Sequence, residues 1–124
     1  CIRDSDTVVG WFNSQAGASS TRTTSEIEAE RAETLNCFGT DGSEIHKDFI
    51  RSLYRSNAAA TIVPVQDLLG LGSEARMNTP GCCSGSWRWR MTDLSEVQSA
   101  LLELAELTSV CGRGQTLLSS QIAR

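Results

Sequence analysis

The apolar positions of the chain fall into two helical stripes with a short β-branched run between them. Ile45, Phe49 and Leu53 recur at a spacing of four, with Ile50 and Tyr54 beside them, which predicts one buried helical face. Leu94, Val97, Leu101 and Leu104 form a second stripe, widened by Ala105 and Leu107. It lasts about two heptads, short of the three or four a coiled coil needs. Thr92 or Ser95 is the expected start of that helix and Gly112 its stop. Residues 61–65, TIVPV, predict a strand; Pro64, which cannot donate to a ladder, puts a strand end there.

Upstream, Ser25-x-x-Glu28 has the form of a capping box opening a strongly polar helix that ends near Gly39. Asp41-Gly42 then predicts a turn, and Ser43 a cap for the Ile45 helix. Residues 1–13 combine the loop-forming Asp4-Ser5-Asp6 with an apolar burst, 14–24 form a polar connection, and Gly70, Gly72, Pro80, Gly81 and Gly85 punctuate a long loop. Residues 113–124 have no pattern and are expected to be a flexible tail, leaving 1–112 as the organised part.

Loop, helix, helix, strand, long loop, helix is thus the expected order. Strand, functional loop and helix together are the repeating unit of an α/β barrel. Such a barrel takes about 250 residues, so 124 residues are expected to be incomplete as a barrel and mostly helical on their own.

Composition narrows the function classes. A formal charge of −4 supplies no general attraction to nucleic acid, whose partners are basic. No apolar run approaches the ~20 residues that span a bilayer, so no membrane partner is expected. Five cysteines and one histidine, His46, show no C-x-x-C spacing and predict neither a zinc site nor another metal centre. Reduced thiols in the cytoplasm are the expectation, with Cys1 an internal residue of a longer protein. Glu26, Glu28, Glu30 and Glu33 are expected to form a solvated helix face.

Three stretches carry more specific information. Arg3-Asp4-Ser5-Asp6-Thr7 precedes Val8-Val9-Gly10-Trp11-Phe12; Pro64 to Gly81 reads PVQDLLGLGSEARMNTPG; Ser84 to Arg90 reads SGSWRWR. In order and spacing they resemble the T-H-D-N-D-T, P-x-Q-D-x-L-G-L-G-x-E-x-R-M-N-x-P-G and S-G-N-W-x-W-R blocks of the 4-α-glucanotransferases (amylomaltases, disproportionating enzymes). The resemblance covers roughly residues 2–113 and is strongest in the second block.

The resemblance implies the end of strand 7 through helix 8 of a (β/α)8 barrel, and a retaining transfer of α-1,4-glucan segments between malto-oligosaccharides without a cofactor. Retaining chemistry uses two carboxylates about 5–5.5 Å apart. Neither maps onto this chain. The third family carboxylate maps onto Asp4, implied to stabilise the transition state by hydrogen-bonding the donor sugar beside its developing positive charge. Arg3, Asn78 and Ser84 are implied substrate contacts, and Gln66, Asp67 and Arg76 order the loop. Trp87 and Trp89 suit either sugar stacking or a packing strand with Arg88 and Arg90 outward; packing is the expectation.

Arg3 stands where the family has His, Ser5 and Ser86 where it has Asn, and Cys82 where Thr is usual. A permanently charged guanidinium in place of a neutral ring is expected to impair turnover. The isolated 124 residues are expected to be inactive, and the competing expectation is a non-catalytic remnant that at most binds glucan.

Overall fold

The computed structural model describes residues 5–17 and 22–114. Among them are helices α1 (Val8–Phe12), α2 (Thr24–Phe38), α3 (Ile45–Arg55), α4 (Val65–Leu68) and α5 (Ser95–Val110), with a 3-10 turn at Ser73–Ala75. No strand occurs among the described residues.

The α2 start shows how the local sequence decides a boundary. The capping box forms two residues before the expected one. Thr23 Oγ1 accepts from the Glu26 N–H, and Glu26 Oε2 accepts from the Thr23 N–H at 2.7 Å. Both Thr23-x-x-Glu26 and Ser25-x-x-Glu28 satisfy the pattern. The earlier pair satisfies the orphan donors about half a turn sooner. Donation from the Thr23 N–H, and from the Thr23 hydroxyl at 2.8 Å, holds the Glu26 carboxyl below its usual range. Gly39 ends the helix as expected, at φ +64°, where a side chain would be strained. Replacing Thr23 with Ala should cost about 1 kcal/mol and lower the thermal midpoint of the 124-residue chain by a few degrees in a circular dichroism melt.

Asp41-Gly42 turns the chain, but Ser43 does not cap α3. Its N–H is taken by Asp41 Oδ1 at 2.9 Å, and the helix starts after Glu44 without a side-chain cap. Ile45 and Ile50 are buried, on a helix that packs against α1, α4 and α5, but Leu53, the last member of the expected stripe, is 43% exposed because no described element covers that end of the helix. Phe49 stacks edge-on against Trp11 and Phe38, with centroids 5.9 and 4.9 Å apart. Arg31 of α2 donates to the Phe12 and Ser14 carbonyls and sits over the Phe12 ring, holding α1 to α2.

The expected strand at 61–65 is absent: residues 60–64 are irregular, and α4 begins at Val65 directly after Pro64. A strand exists only through its partners, and the described chain offers none. Residues 84–90 are likewise irregular, so the Trp-inward packing strand does not form. Trp87 is 45% exposed.

Helix α5 starts at Ser95, one of the two expected places, and ends at Val110 with Gly112 just beyond. Its stripe is only partly covered. Val97 is buried and Leu104 and Leu107 are half-buried, whereas Leu94 and Leu101 are exposed, as are Leu102 and Val110 off the stripe, Val110 at 85%. Ile62, from the expected strand, is 77% exposed. These faces have the chemistry of an interior without neighbours to make one. Lys47 bridges α3 to α5 by pairing with Glu44 and Glu103, both at 3.0 Å; such exposed pairs contribute little. Arg113, at the head of the expected tail, donates to the carbonyls of Tyr54, Ser56 and Ala58 at 2.6–2.8 Å and caps the end of α3. Residues 115–124 lie outside the described residues.

Candidate active-site wall

The first two motif stretches, about sixty residues apart in sequence, meet at the start of α1. Thr7 caps that helix, its Oγ1 accepting from the Gly10 N–H at 3.0 Å. The Val8 N–H, which has no intrahelical acceptor, donates instead to Asp67 Oδ1 at 2.7 Å. Asp6 Oδ1 accepts the Thr7 N–H at 2.8 Å. Its other oxygen accepts from Ser73 Oγ at 2.8 Å and lies 3.6 Å from Arg76 Nη1. Two carboxylates thereby satisfy the first turn of α1 and fasten it to the loop that follows α4.

Gly10 makes this approach possible. A Cβ there would sit 2.5 Å from Ser73 Oγ and 2.6 Å from Asp6 Oδ1, inside any tolerable contact.

The loop is braced from within. Gln66, buried, directs Nε2 toward the Ala75 carbonyl at 3.4 Å, and its own carbonyl accepts from the Leu71 N–H at 2.9 Å. Arg76 Nε donates to the Asn78 carbonyl at 2.6 Å. The third stretch joins here as well, through the Trp87 N–H donating to the Met77 carbonyl. Trp87 holds φ at +64°, the one non-glycine residue in the left-handed region among those described. Such a conformation costs of order 1–3 kcal/mol and persists only where the surroundings impose it. Asn78 is half-buried beside these bonds, and Ser84 is exposed in the same loop.

The residues named from sequence are thus divided. Gln66, Asp67, Arg76 and Asn78 are brought together at the junction, and Ser84 lies further along its loop. Arg3 and Asp4 lie outside the described residues, immediately before the Ser5–Thr7 segment. Asp6 and Ser73, which make the link between stretches, have no role assigned from sequence. The available signal was Asp6-Thr7-x-x-Gly10, an acidic residue and a capping hydroxyl before an apolar run.

Burial raises the Asp67 carboxyl above its usual range, and the Asp6 charge adds to the rise; the Val8 N–H and His46 oppose it. A carboxyl whose pKa is higher folded than unfolded favours folding below its unfolded value, near 3.8, and that contribution is lost as pH rises through the folded value. Asn at this position keeps an oxygen for Val8 and carries no charge. Asp67→Asn should therefore gain stability relative to the unsubstituted chain as pH rises from about 3 to 7. Paired thermal melts across that range check this; a relative loss with rising pH would contradict it.

Among the described residues, no group of three or more His, Cys, Asp or Glu side chains is placed to hold a metal ion, and no helix is long and apolar enough to cross a membrane. Cys37, Cys82, Cys83 and Cys111 are free thiols.

The chain matches the 4-alpha-glucanotransferase family model over residues 1–96, and it belongs to that family. It is 41% identical over 88 residues to a 4-alpha-glucanotransferase of Synechocystis, covering 70% of this chain and 15% of that protein. It is 34% identical over 113 residues to the chloroplastic/amyloplastic 4-alpha-glucanotransferase DPE1 of Arabidopsis thaliana, covering 89% and 18%. With a 4-alpha-glucanotransferase of Thermus thermophilus it shares 36% over 111 residues, covering 85% and 21%. Among solved structures, an amylomaltase from Streptococcus agalactiae in complex with acarbose superposes with a TM-score of 0.70 at 28% identity, over 90% of this chain and 21% of that one. The chain spans about a fifth or less of the length of these relatives.

Proposed function

We propose that residues 1–112 supply one wall of the glucan site of a retaining 4-α-glucanotransferase, the stretch from the end of strand 7 through helix 8 of a (β/α)8 barrel. The observation that carries this is the junction at α1, where the family's motif stretches are tied through Asp6, Asp67, Ser73 and Arg76. Barrel enzymes present substrate to loops at the C-terminal ends of their strands. The Asp4 and Asn78 loops occupy such positions in the family's order.

In this assignment Asp4 stabilises the oxocarbenium-like transition state, Arg3, Asn78 and Ser84 meet the sugar, and Gln66, Asp67 and Arg76 hold the loop in shape. The hydrogen bonds of Gln66 and Arg76 to the Ala75 and Asn78 carbonyls support the last role. The substrates are α-1,4-glucans and malto-oligosaccharides, the relative of solved structure having acarbose bound. The nucleophile and acid/base carboxylates map onto no residue of this chain. Neither metal nor organic cofactor enters the proposed chemistry, and the free thiols suit a reducing cytoplasm.

The second reading, a remnant that at most binds glucan, is favoured by the uncovered apolar faces of α5 and Ile62. Maltotriose disproportionation separates the two. The purified 124-residue chain should release no glucose. A chimera carrying residues 1–113 in place of the matching stretch of the Thermus thermophilus relative should release it, and an inactive chimera that folds would support the remnant. Within an active chimera, Arg3→His should raise transfer about tenfold, roughly 1.4 kcal/mol of transition-state stabilisation. An unchanged rate would show that the guanidinium does not disturb the site.

A further inference from the structure

We propose that Asp6 is a positioning residue for glucan transfer: it locks the segment that follows Asp4 to the loop that leads to Asn78, so that both address one sugar. This rests on the functional assignment above and adds a residue to which that assignment gives no role.

Each oxygen of Asp6 has a distinct task. Oδ1 holds the Thr7 N–H at 2.8 Å and sets the direction in which the chain enters α1. Oδ2 takes the Ser73 hydroxyl at 2.8 Å and faces the Arg76 guanidinium at 3.6 Å. Arg76 in turn holds the Asn78 carbonyl at 2.6 Å. One carboxylate therefore joins Thr7 to Asn78 through a single intervening side chain. Both ends of the ion pair are mostly shielded, with 24% and 19% of the Arg76 and Asp6 side chains exposed, so the pair is screened less than a surface bridge. Gly10, flush against both Ser73 and Asp6, leaves room for the clasp and for nothing larger.

Positioning residues act on the reaction through geometry. Misplacing a reacting group by about 1 Å can cost about 10²-fold in rate, whereas sugar affinity, spread over many contacts, changes less. Uniform loss of binding would raise KM and leave kcat alone.

The test is steady-state maltotriose disproportionation by the chimera, with Asp6→Ala, Asp6→Asn, Ser73→Ala and the Asp6→Ala/Ser73→Ala double variant. Asp6→Ala should lower kcat about 10- to 100-fold with KM within about threefold. Asp6→Asn, whose amide oxygen still accepts one of the two donors, should recover part of the rate. The double variant should be no slower than Asp6→Ala alone, because the two residues act as one unit. If Asp6→Ala leaves the chimera unfolded, the Asp6→Asn comparison carries the measurement. An active chimera whose kcat is indifferent to Asp6, even with a lowered melting temperature, would overturn the proposal alone. So would losses that multiply in the double variant. An unsubstituted chimera without glucan transfer would overturn the functional assignment, and this proposal with it.

Discussion

Asp4→Asn in the chimera should lower the turnover of maltotriose about 10²–10³-fold, about 2.7–4 kcal/mol of transition-state stabilisation, with little change in KM. The effect is electrostatic. A retaining transfer passes through a sugar ring that gains positive charge as the leaving oxygen departs. A fixed carboxylate beside it is stabilising at that moment and nearly neutral toward the uncharged ground state, so its loss falls on kcat. Asn is isosteric and still hydrogen-bonds, so the substitution removes charge while keeping shape. A variant with unchanged kcat would remove Asp4 from the reaction.

Gly10→Ala should destabilise the 124-residue chain by about 1 kcal/mol net, although Ala is ordinarily the better helix residue. Ala gains about 1 kcal/mol of helix propensity over Gly. Against it, the new Cβ would lie 2.5 Å from Ser73 Oγ and 2.6 Å from Asp6 Oδ1. Overpacking of this kind costs about 1–3 kcal/mol. Relieving it by turning Ser73 or Asp6 away breaks a hydrogen bond to a charged group, worth about 1.5–3 kcal/mol. The steric term wins, and the thermal midpoint should fall by about 3–6 °C. Gly10→Ala in an Asp6→Ala/Ser73→Ala background should lose most of this penalty, since the clashing atoms are gone. A Gly10→Ala variant that melts higher than the unsubstituted chain would show that the clasp does not form.

Legibility from sequence followed how local each decision was. The Gly39 stop, the Ile45–Ile50 face and the α5 start are set by residues within a turn or two, and the patterns that predict them act at that range. The strand at 61–65 and the packing strand at 84–90 failed for a common reason. Their β-branched and aromatic residues suit a pleated surface, but pleated surfaces require neighbours that the described chain lacks. The capping box slipped by two residues because Thr23 and Ser25 offer overlapping versions of one signature. Helix α1 escaped notice because its first-turn acceptors, Asp6 and Thr7 apart, include Asp67 from a distant segment, and no window of sequence contains them all. Family resemblance picked out the motif stretches; the pairing of Asp6 with Ser73 and Arg76 became visible only in three dimensions.

Helix α5 shows the same lack of neighbours. Leu101, Leu102 and Val110 are exposed on different sides of it, apolar positions that the described residues do not cover. In the proposed assignment α5 is a barrel helix, whose apolar sides the rest of a barrel would cover.

In the proposed assignment Asp4 and Asn78 face one sugar from two loops that Asp6 and Asp67 hold together. A crystal structure of the chimera with a bound malto-oligosaccharide tests it most directly. The expected result is a single glucose unit within hydrogen-bonding distance of both the Asp4 carboxylate and the Asn78 side chain, with the Asp6–Ser73 bond intact. Finding those two side chains on opposite surfaces, or the sugar seated away from both, would contradict it.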